Sequence, residues 1–177
     1  AMRNGIAMVS EDRSRTGLLT SFSIRFNMTF AILRRVATRA GFIRRKAEMP
    51  LVRQYTDHLS VRMRDAEQAV KELSGGNQQK VFIAKWLLTE SDILILDEPT
   101  RGIDIGAKMD TYRLISDLAG QGKAILMISS ELPEILQLSD RVYVMCEGHV
   151  TAEFKRQEMT GEKIMAAAST LQREGAG

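Results

Sequence analysis

The sequence predicts an α/β fold: a mostly parallel sheet covered by helices, with an α-helical segment set into its first half. Three observations carry this. Short apolar runs, "DILILD" (92–97), "KAILMIS" (123–129) and "RVYVMC" (141–146), are separated by helix-compatible stretches near 106–119 and 131–138. Strand and helix alternating on this scale argue for parallel strands joined by crossover helices. Residues 21–70 instead repeat apolar side chains at helical steps. With 177 residues, 44% hydrophobic and 27% charged, the chain is long enough to bury a core.

Each element follows in order. "GIAMVS" (5–10) reads as a short buried strand running into a polar loop, "EDRSRTG". Phe22, Phe26, Phe30 and Leu33 recur at three- and four-residue steps and give a helix one apolar face. "EMPLVRQYTDHL" (48–59) reads as a second helix, with Pro50 tolerated in its first turn. A third helix is expected over roughly 77–89. "EGHV" (147–150) reads as a tight turn into a last, antiparallel strand. Ala166 to Ala168 fall in a terminal helix, and "LQREGAG" is expected to fray.

Composition narrows the function classes. No apolar run approaches membrane-spanning length, "AILMI" being typical, so a membrane role must work through a partner. A lone Cys146 excludes an internal disulfide and suits a reducing cytosol. His58 and His149 stand apart and form no metal-ligand pattern. Charge is uneven: residues 1–64 carry 13 Lys and Arg against 4 Asp and Glu, and residues 65–177 carry 12 against 18. A basic first third suits nucleic acid, an anionic membrane surface, an acidic partner or a plain solvated face. The aromatics beside the arginines (Phe22, Phe26, Phe30, Phe42, Tyr55) are spaced along helices and do not form a base-stacking platform.

Two stretches carry chemistry. In "KELSGGNQQK" (71–80), Ser74 supplies a hydroxyl, while Gly75 and Gly76 let backbone approach an anion. The helix that follows presents free N–H groups and a positive dipole end, a site for phosphate. In "ILILDEPT" (93–100), a buried strand ends in Asp97 and Glu98. The carboxyl ends of parallel strands form the ligand crevice. One carboxylate there suits Mg²⁺ and the next suits orienting a water.

Together these stretches identify a resemblance to the ATP-binding-cassette (ABC) family, a P-loop NTPase family, covering essentially the whole chain. "LSGGNQQK" (73–80) resembles its signature motif, "ILILDEPT" its Walker B strand with catalytic glutamate, and "RGIDIGAK" (101–108) its D-loop. "GIAMVSEDRSRTGL", "GNQQK" and "DEPTRGIDIGAK" resemble the second nucleotide-binding half of ribose/galactose/xylose-type sugar-importer ATPases. The resemblance implies ATP and Mg²⁺ as ligands, with Leu73, Ser74, Gly75, Gly76 and Gln78 in the ATP-binding signature. It implies Glu98 and Asp104 as catalytic, Asp97 and Glu11 near the metal, and Ser130 at the switch position. It divides the chain into a Q-loop strand and loop (1–17), a helical signature subdomain (18–90) and an ATPase core (91–177). The implied partners are a second cassette paired head to tail, a membrane permease docked on the helical subdomain around 18–36, and indirectly a sugar-binding protein, with no nucleic acid. The implied place is cytoplasmic, peripheral on the inner face of the plasma membrane.

The pattern has departures. No G-x-x-x-x-G-K-[ST] phosphate loop is present: only Gly122 precedes a lysine, with no glycine five positions earlier. The core is therefore expected to be incomplete, and Ala1, which is not an initiating methionine, suggests a truncated product or a cut domain. The missing strand would lie beside "KAILMIS", so that strand is expected to be left as an unpaired edge. Glu11 stands in place of the family's Q-loop glutamine and Ser130 in place of its switch histidine, which implies a weak site on this half's own Walker B. Two other readings stay open: a non-catalytic truncated cassette acting as an interaction module, and a non-transport ABC ATPase acting on nucleic acid or ribosomes. The latter relatives carry long charged insertions that this chain lacks.

Overall fold

The computed structural model describes residues 1, 4–11 and 17–169. The loop expected over 12–16 and the frayed end expected over 171–177 lie outside the described residues. Packing divides the chain into two compact units, with the boundary between Ile128 and Ser129.

The first unit is built on a parallel sheet in the order β1 (Ile6–Val9), β2 (Ile93–Asp97), β3 (Ala124–Ile128). β1 and β2 pair from Ile6↔Ile93 to Val9↔Leu96, and β2 and β3 from Ile93↔Ala124 to Asp97↔Ile128. The two-residue period puts Ala7, Val9, Leu94 and Leu96 on one face, where each is 1% exposed. Helix α4 (Gly75–Leu87) packs on β1 and α5 (Ile105–Gly120) packs on β3.

The other sheet face is open. Met8, Ile93, Leu126 and Ile128 are 44, 39, 54 and 47% exposed, and among the described residues β3 pairs only with β2. Parallel sheets normally bury both faces, and an apolar edge invites another chain to pair with it. The 177-residue chain is therefore expected to self-associate as concentration rises. Leu126→Lys with Ile128→Lys should return it to a monomer by light scattering. A wild-type chain that stays monomeric at every concentration would rule this out.

The helical expectation over 21–70 holds only in part. The helices are α1 (Ile24–Thr29), continued by a 3₁₀ turn (Phe30–Ile32) into α2 (Leu33–Val36), and then α3 (Arg45–His58). A turn closed by an Ala37↔Ile43 bridge separates α2 from α3, and irregular chain follows His58. Pro50 is the sixth residue of α3, beyond its first turn, so the Lys46 carbonyl lacks its i+4 donor. The buried face also has a different phase. Ile24, Met28, Ile32 and Val36 form the core stripe, while Phe22 and Phe30 of the aromatic series are about half exposed. Phe22, Phe26 and Phe30 stack in succession on the surface, with ring centroids 5.0 and 5.5 Å apart.

Buried polar groups tie this region together. Arg25 on α1 donates from Nη1 to Glu48 Oε2 on α3 (2.6 Å) and from Nε to Glu67 Oε1 (2.7 Å). Thr29 Oγ1 donates to the other Glu48 oxygen. Asn27, also buried, exchanges hydrogen bonds with Leu19: its Oδ1 accepts from the N–H (2.7 Å) and its Nδ2 donates to the carbonyl (3.0 Å).

The second unit holds α6 (Leu132–Leu138), the hairpin β4 (Arg141–Cys146) and β5 (His149–Lys155), and α7 (Gly161–Ser169). Glu147 and Gly148, both at positive φ, make the two-residue turn that the sequence announces. Val142, Val144 and Ile164 form its core, with Ile135, Phe154 and Met159 packed around them.

Candidate functional site

The signature residues gather at the start of α4. Ser74 is its N-cap: exposed, extended (φ −62°, ψ 157°), with Oγ accepting from the Asn77 N–H (3.4 Å) and from Asn77 Nδ2 (2.9 Å). A serine here satisfies one of the N–H groups that a helix start leaves unpaired. Its own hydroxyl proton remains for an acceptor. Leu73 is buried, and its carbonyl accepts from Gln78 Nε2 (3.0 Å). The Gln78 amide thus braces the chain entering the helix.

Gly76 has a role that the sequence does not reveal. A Cβ there would lie 2.5 Å from Ala107 Cβ on α5. One turn further, Lys80 Nζ meets Asp110 Oδ2 at 3.1 Å. Both contacts advance in the same direction along the two helices, so their N-termini lie side by side. Asp104 caps α5, its Oδ1 accepting from the Ala107 N–H at 3.0 Å. Gly76 and Asp104 therefore belong to one packed seam.

The carboxylates collect at the carboxyl end of the parallel sheet. Asp97 ends β2, level with Ile128 on β3. Glu98 follows with φ +47°, a left-handed conformation unusual for a glutamate, and its N–H donates to the Ile128 carbonyl (2.9 Å). Strained backbone of this kind persists only where surrounding structure enforces it, as at functional sites. Glu11 lies two residues past β1, at the same end of the sheet, and its carboxylate is engaged by Arg101. Among the described residues, no three His, Cys, Asp or Glu side chains converge as a ready-made metal cage. Mg²⁺ does not need one, since it is typically held by one or two carboxylates together with substrate phosphates. Asp97, half-buried at a strand end, suits that arrangement. Ser130 lies in the second unit, exposed just beyond β3.

Three residues of this region escape the sequence reading: Arg101 on Glu11, Lys80 at the α4–α5 seam, and Lys85. Lys85 donates to the Gly17 carbonyl (2.8 Å) beside the rings of Phe30, Phe82 and Trp86, and burial lowers its pKa. Lys80 was within reach, being four residues beyond Gly76 on the same helix face.

Residues 1–101 match the family model described as ABC transporter. The chain belongs to the ABC transporter family. It is 53% identical over 169 residues to the ribose import ATP-binding protein RbsA 2 of Rubrobacter xylanophilus, covering 96% of this chain and 32% of that protein. It is 51% identical to the xylose import ATP-binding protein XylG of Moorella thermoacetica, covering 96% and 33%. The chain thus spans about a third of the length of the curated relatives it matches. A solved dimeric structure of the ATP-binding cassette MJ0796, in a post-hydrolysis state bound to ADP and Pi, shares the fold. Its TM-score is 0.71 at 21% identity, over 87% of this chain and 64% of that one.

Proposed function

We propose that the chain is the second-cassette part of the ATP-binding subunit of a bacterial sugar importer. In this reading it binds ATP across a head-to-tail cassette interface and couples hydrolysis to solute uptake. The observation that carries the reading is the α4 N-terminus. An exposed Ser74 cap opens a 13-residue helix with Gly75 and Gly76 in its first turn. Free N–H groups and the helix dipole there favour a phosphate, which a partner cassette would present. Leu73 and Gln78 hold that end in shape.

Asp97 is the residue that would hold Mg²⁺, with Glu11 the second candidate; the ion, when bound, would neutralise phosphate charge. Glu98 orients the attacking water. Asp104 acts through α5 by fixing its start against the signature helix. Serine at 130 lacks the imidazole that would hold a γ-phosphate, and the Glu11 carboxylate is already engaged by Arg101. Both support a weak site on this half and a competent one completed by its signature. The Phe22–Phe26–Phe30 stripe, with Phe22 and Phe30 exposed, is the candidate surface for a membrane permease; in this reading the chain works at the cytoplasmic face, with a sugar-binding protein reached through the permease.

Residues 1–177 contain no phosphate loop, so a second reading, a non-catalytic interaction module, stays open for this chain. One experiment separates the two. The chain is mixed with the permease and with a phosphate-loop-bearing first cassette from a related importer, with and without Mg-ATP. Complex formation should require ATP and vanish in Ser74→Arg, and Phe22→Asp should release the permease alone. Association indifferent to ATP and to Ser74→Arg would leave only the interaction module. The chain by itself should show no turnover; turnover that disappears in Glu98→Gln would overturn that expectation.

A further inference from the structure

Residues 34–46 carry six basic side chains and no acidic one. The stretch leaves α2, turns, and enters α3. The turn is closed by its own backbone: Thr38 N–H donates to the Phe42 carbonyl (2.8 Å), Gly41 N–H to the Thr38 carbonyl (3.0 Å), and Arg44 N–H to the Val36 carbonyl (2.8 Å). Phe42 N–H donates to Thr38 Oγ1 (3.1 Å). Gly41 takes φ +86°, which leaves the turn tight. With both of its backbone groups bonded, Phe42 is fixed in place and 74% exposed, and Ile43 beside it is 44% exposed.

The charges around this pair are mostly uncompensated. Arg35 is paired with Glu90 and Arg45 with Glu67. Arg34, Arg39, Arg44 and Lys46 are exposed and make no ion pair among the described residues. Two exposed apolar side chains on a hydrogen-bonded turn, with exposed cations that make no ion pair among the described residues on both sides of them in sequence, match a boundary that is anionic outside and apolar beneath. Anionic bilayers offer that layering: basic side chains meet headgroups while aromatic and aliphatic tips enter the acyl boundary. A single-stranded nucleic acid would engage the cations and favour aromatic rings to stack on, but the ring stack found among the described residues joins Phe22, Phe26 and Phe30 and does not include Phe42.

We propose that the Ala37–Arg44 turn is an anchor for an anionic membrane surface, with Phe42 and Ile43 entering the lipid boundary and Arg34, Arg39, Arg44 and Lys46 on the headgroups. The test uses the 177-residue chain and sedimentation with vesicles of phosphatidylcholine, alone or mixed in equal parts with phosphatidylglycerol. Partition into the mixed vesicles should exceed that into neutral ones by about tenfold or more and fall as salt rises. Phe42→Ser with Ile43→Ser should reduce it about tenfold, from the apolar area no longer buried. Arg44→Glu with Lys46→Glu should reduce it to the neutral-vesicle level; circular dichroism confirms that each variant is folded. Equal binding to neutral and anionic vesicles would overturn the proposal, since the open sheet face alone would produce that. So would anionic binding unchanged by the Phe42 variant, or retention on single-stranded RNA without retention on vesicles.

Discussion

Gly76→Ala is expected to destabilise the protein by about 1–3 kcal/mol, the usual cost of forcing an extra carbon into packed structure. The sign makes this informative. Gly76 is the second residue of α4, and alanine is the better helix former by about 1 kcal/mol in a helix interior. With open space beside it, the substitution would stabilise. The space is taken: the new Cβ would fall 2.5 Å from Ala107 Cβ, so α4 and α5 must separate. Separation strains the Lys80–Asp110 pair and moves the Ser74 cap relative to Asp104. Ala107→Gly removes the opposing atom. Combined with Gly76→Ala, it should recover most of the lost stability although it weakens α5 on its own, a coupling of the kind expected between residues in contact. Urea denaturation of the two single variants and the double variant measures this. A more stable Gly76→Ala, or a double variant no better than the sum of the singles, would mean that the seam gives way without cost.

The Gly76 result shows where sequence reading stops. The Ser-Gly-Gly stretch is legible as a helix start because serine caps and glycine punctuates. Which glycine serves an anion and which serves a neighbouring helix depends on where α5 lies, some thirty residues on. The strands were legible because "DILILD" and "RVYVMC" are apolar runs with polar ends, and Asp97 and Glu98 fall at the strand end that the run predicts. The face of α1 was not legible. Phe22, Phe26 and Phe30 and Ile24, Met28 and Ile32 both satisfy helical spacing, and the larger side chains suggested the wrong one. Periodicity gives the angle between side chains, and the absolute phase comes from packing against α3 and α4. The unpaired edge of β3 was legible, because the sequence lacks the phosphate-loop strand expected beside "KAILMIS"; the exposure of Met8, Ile93, Leu126 and Ile128 on one sheet face was not, since apolar strand residues read the same whether or not a layer covers them.

Glu48→Ala is expected to be the most damaging single substitution in the helical region, costing about 3–5 kcal/mol, as is usual when one partner of a buried ion pair is removed. Glu48 is fully buried, with one oxygen on Arg25 Nη1 and the other on Thr29 Oγ1. Truncation leaves Arg25, whose side chain is only 18% exposed, with Glu67 as its remaining carboxylate, and leaves Thr29 without one acceptor. The Arg25 pKa is raised, above all by its Glu67 hydrogen bond, so the guanidinium cannot escape by losing its proton. Glu48→Gln keeps the shape and one acceptor and should cost less. Arg25→Met with Glu48→Leu removes both charges and should recover much of the loss, because a buried pair typically only breaks even against apolar packing. The Arg25 hydrogen bond holds the Glu67 carboxyl below its ordinary range, so the stability Glu67 contributes is present above the unfolded carboxylate pKa and is lost as pH falls through the lower folded value. Glu67 is 43% exposed, so that contribution is small and screened by salt. Glu67→Gln should therefore show a modest deficit that shrinks in acid and at high salt, whereas the larger Glu48→Ala deficit, which arises at a buried site, should change little with salt. A Glu48→Ala deficit no larger than that of Glu67→Gln would mean that water reaches Arg25 and that the α1–α3 contact is not held by a buried charge.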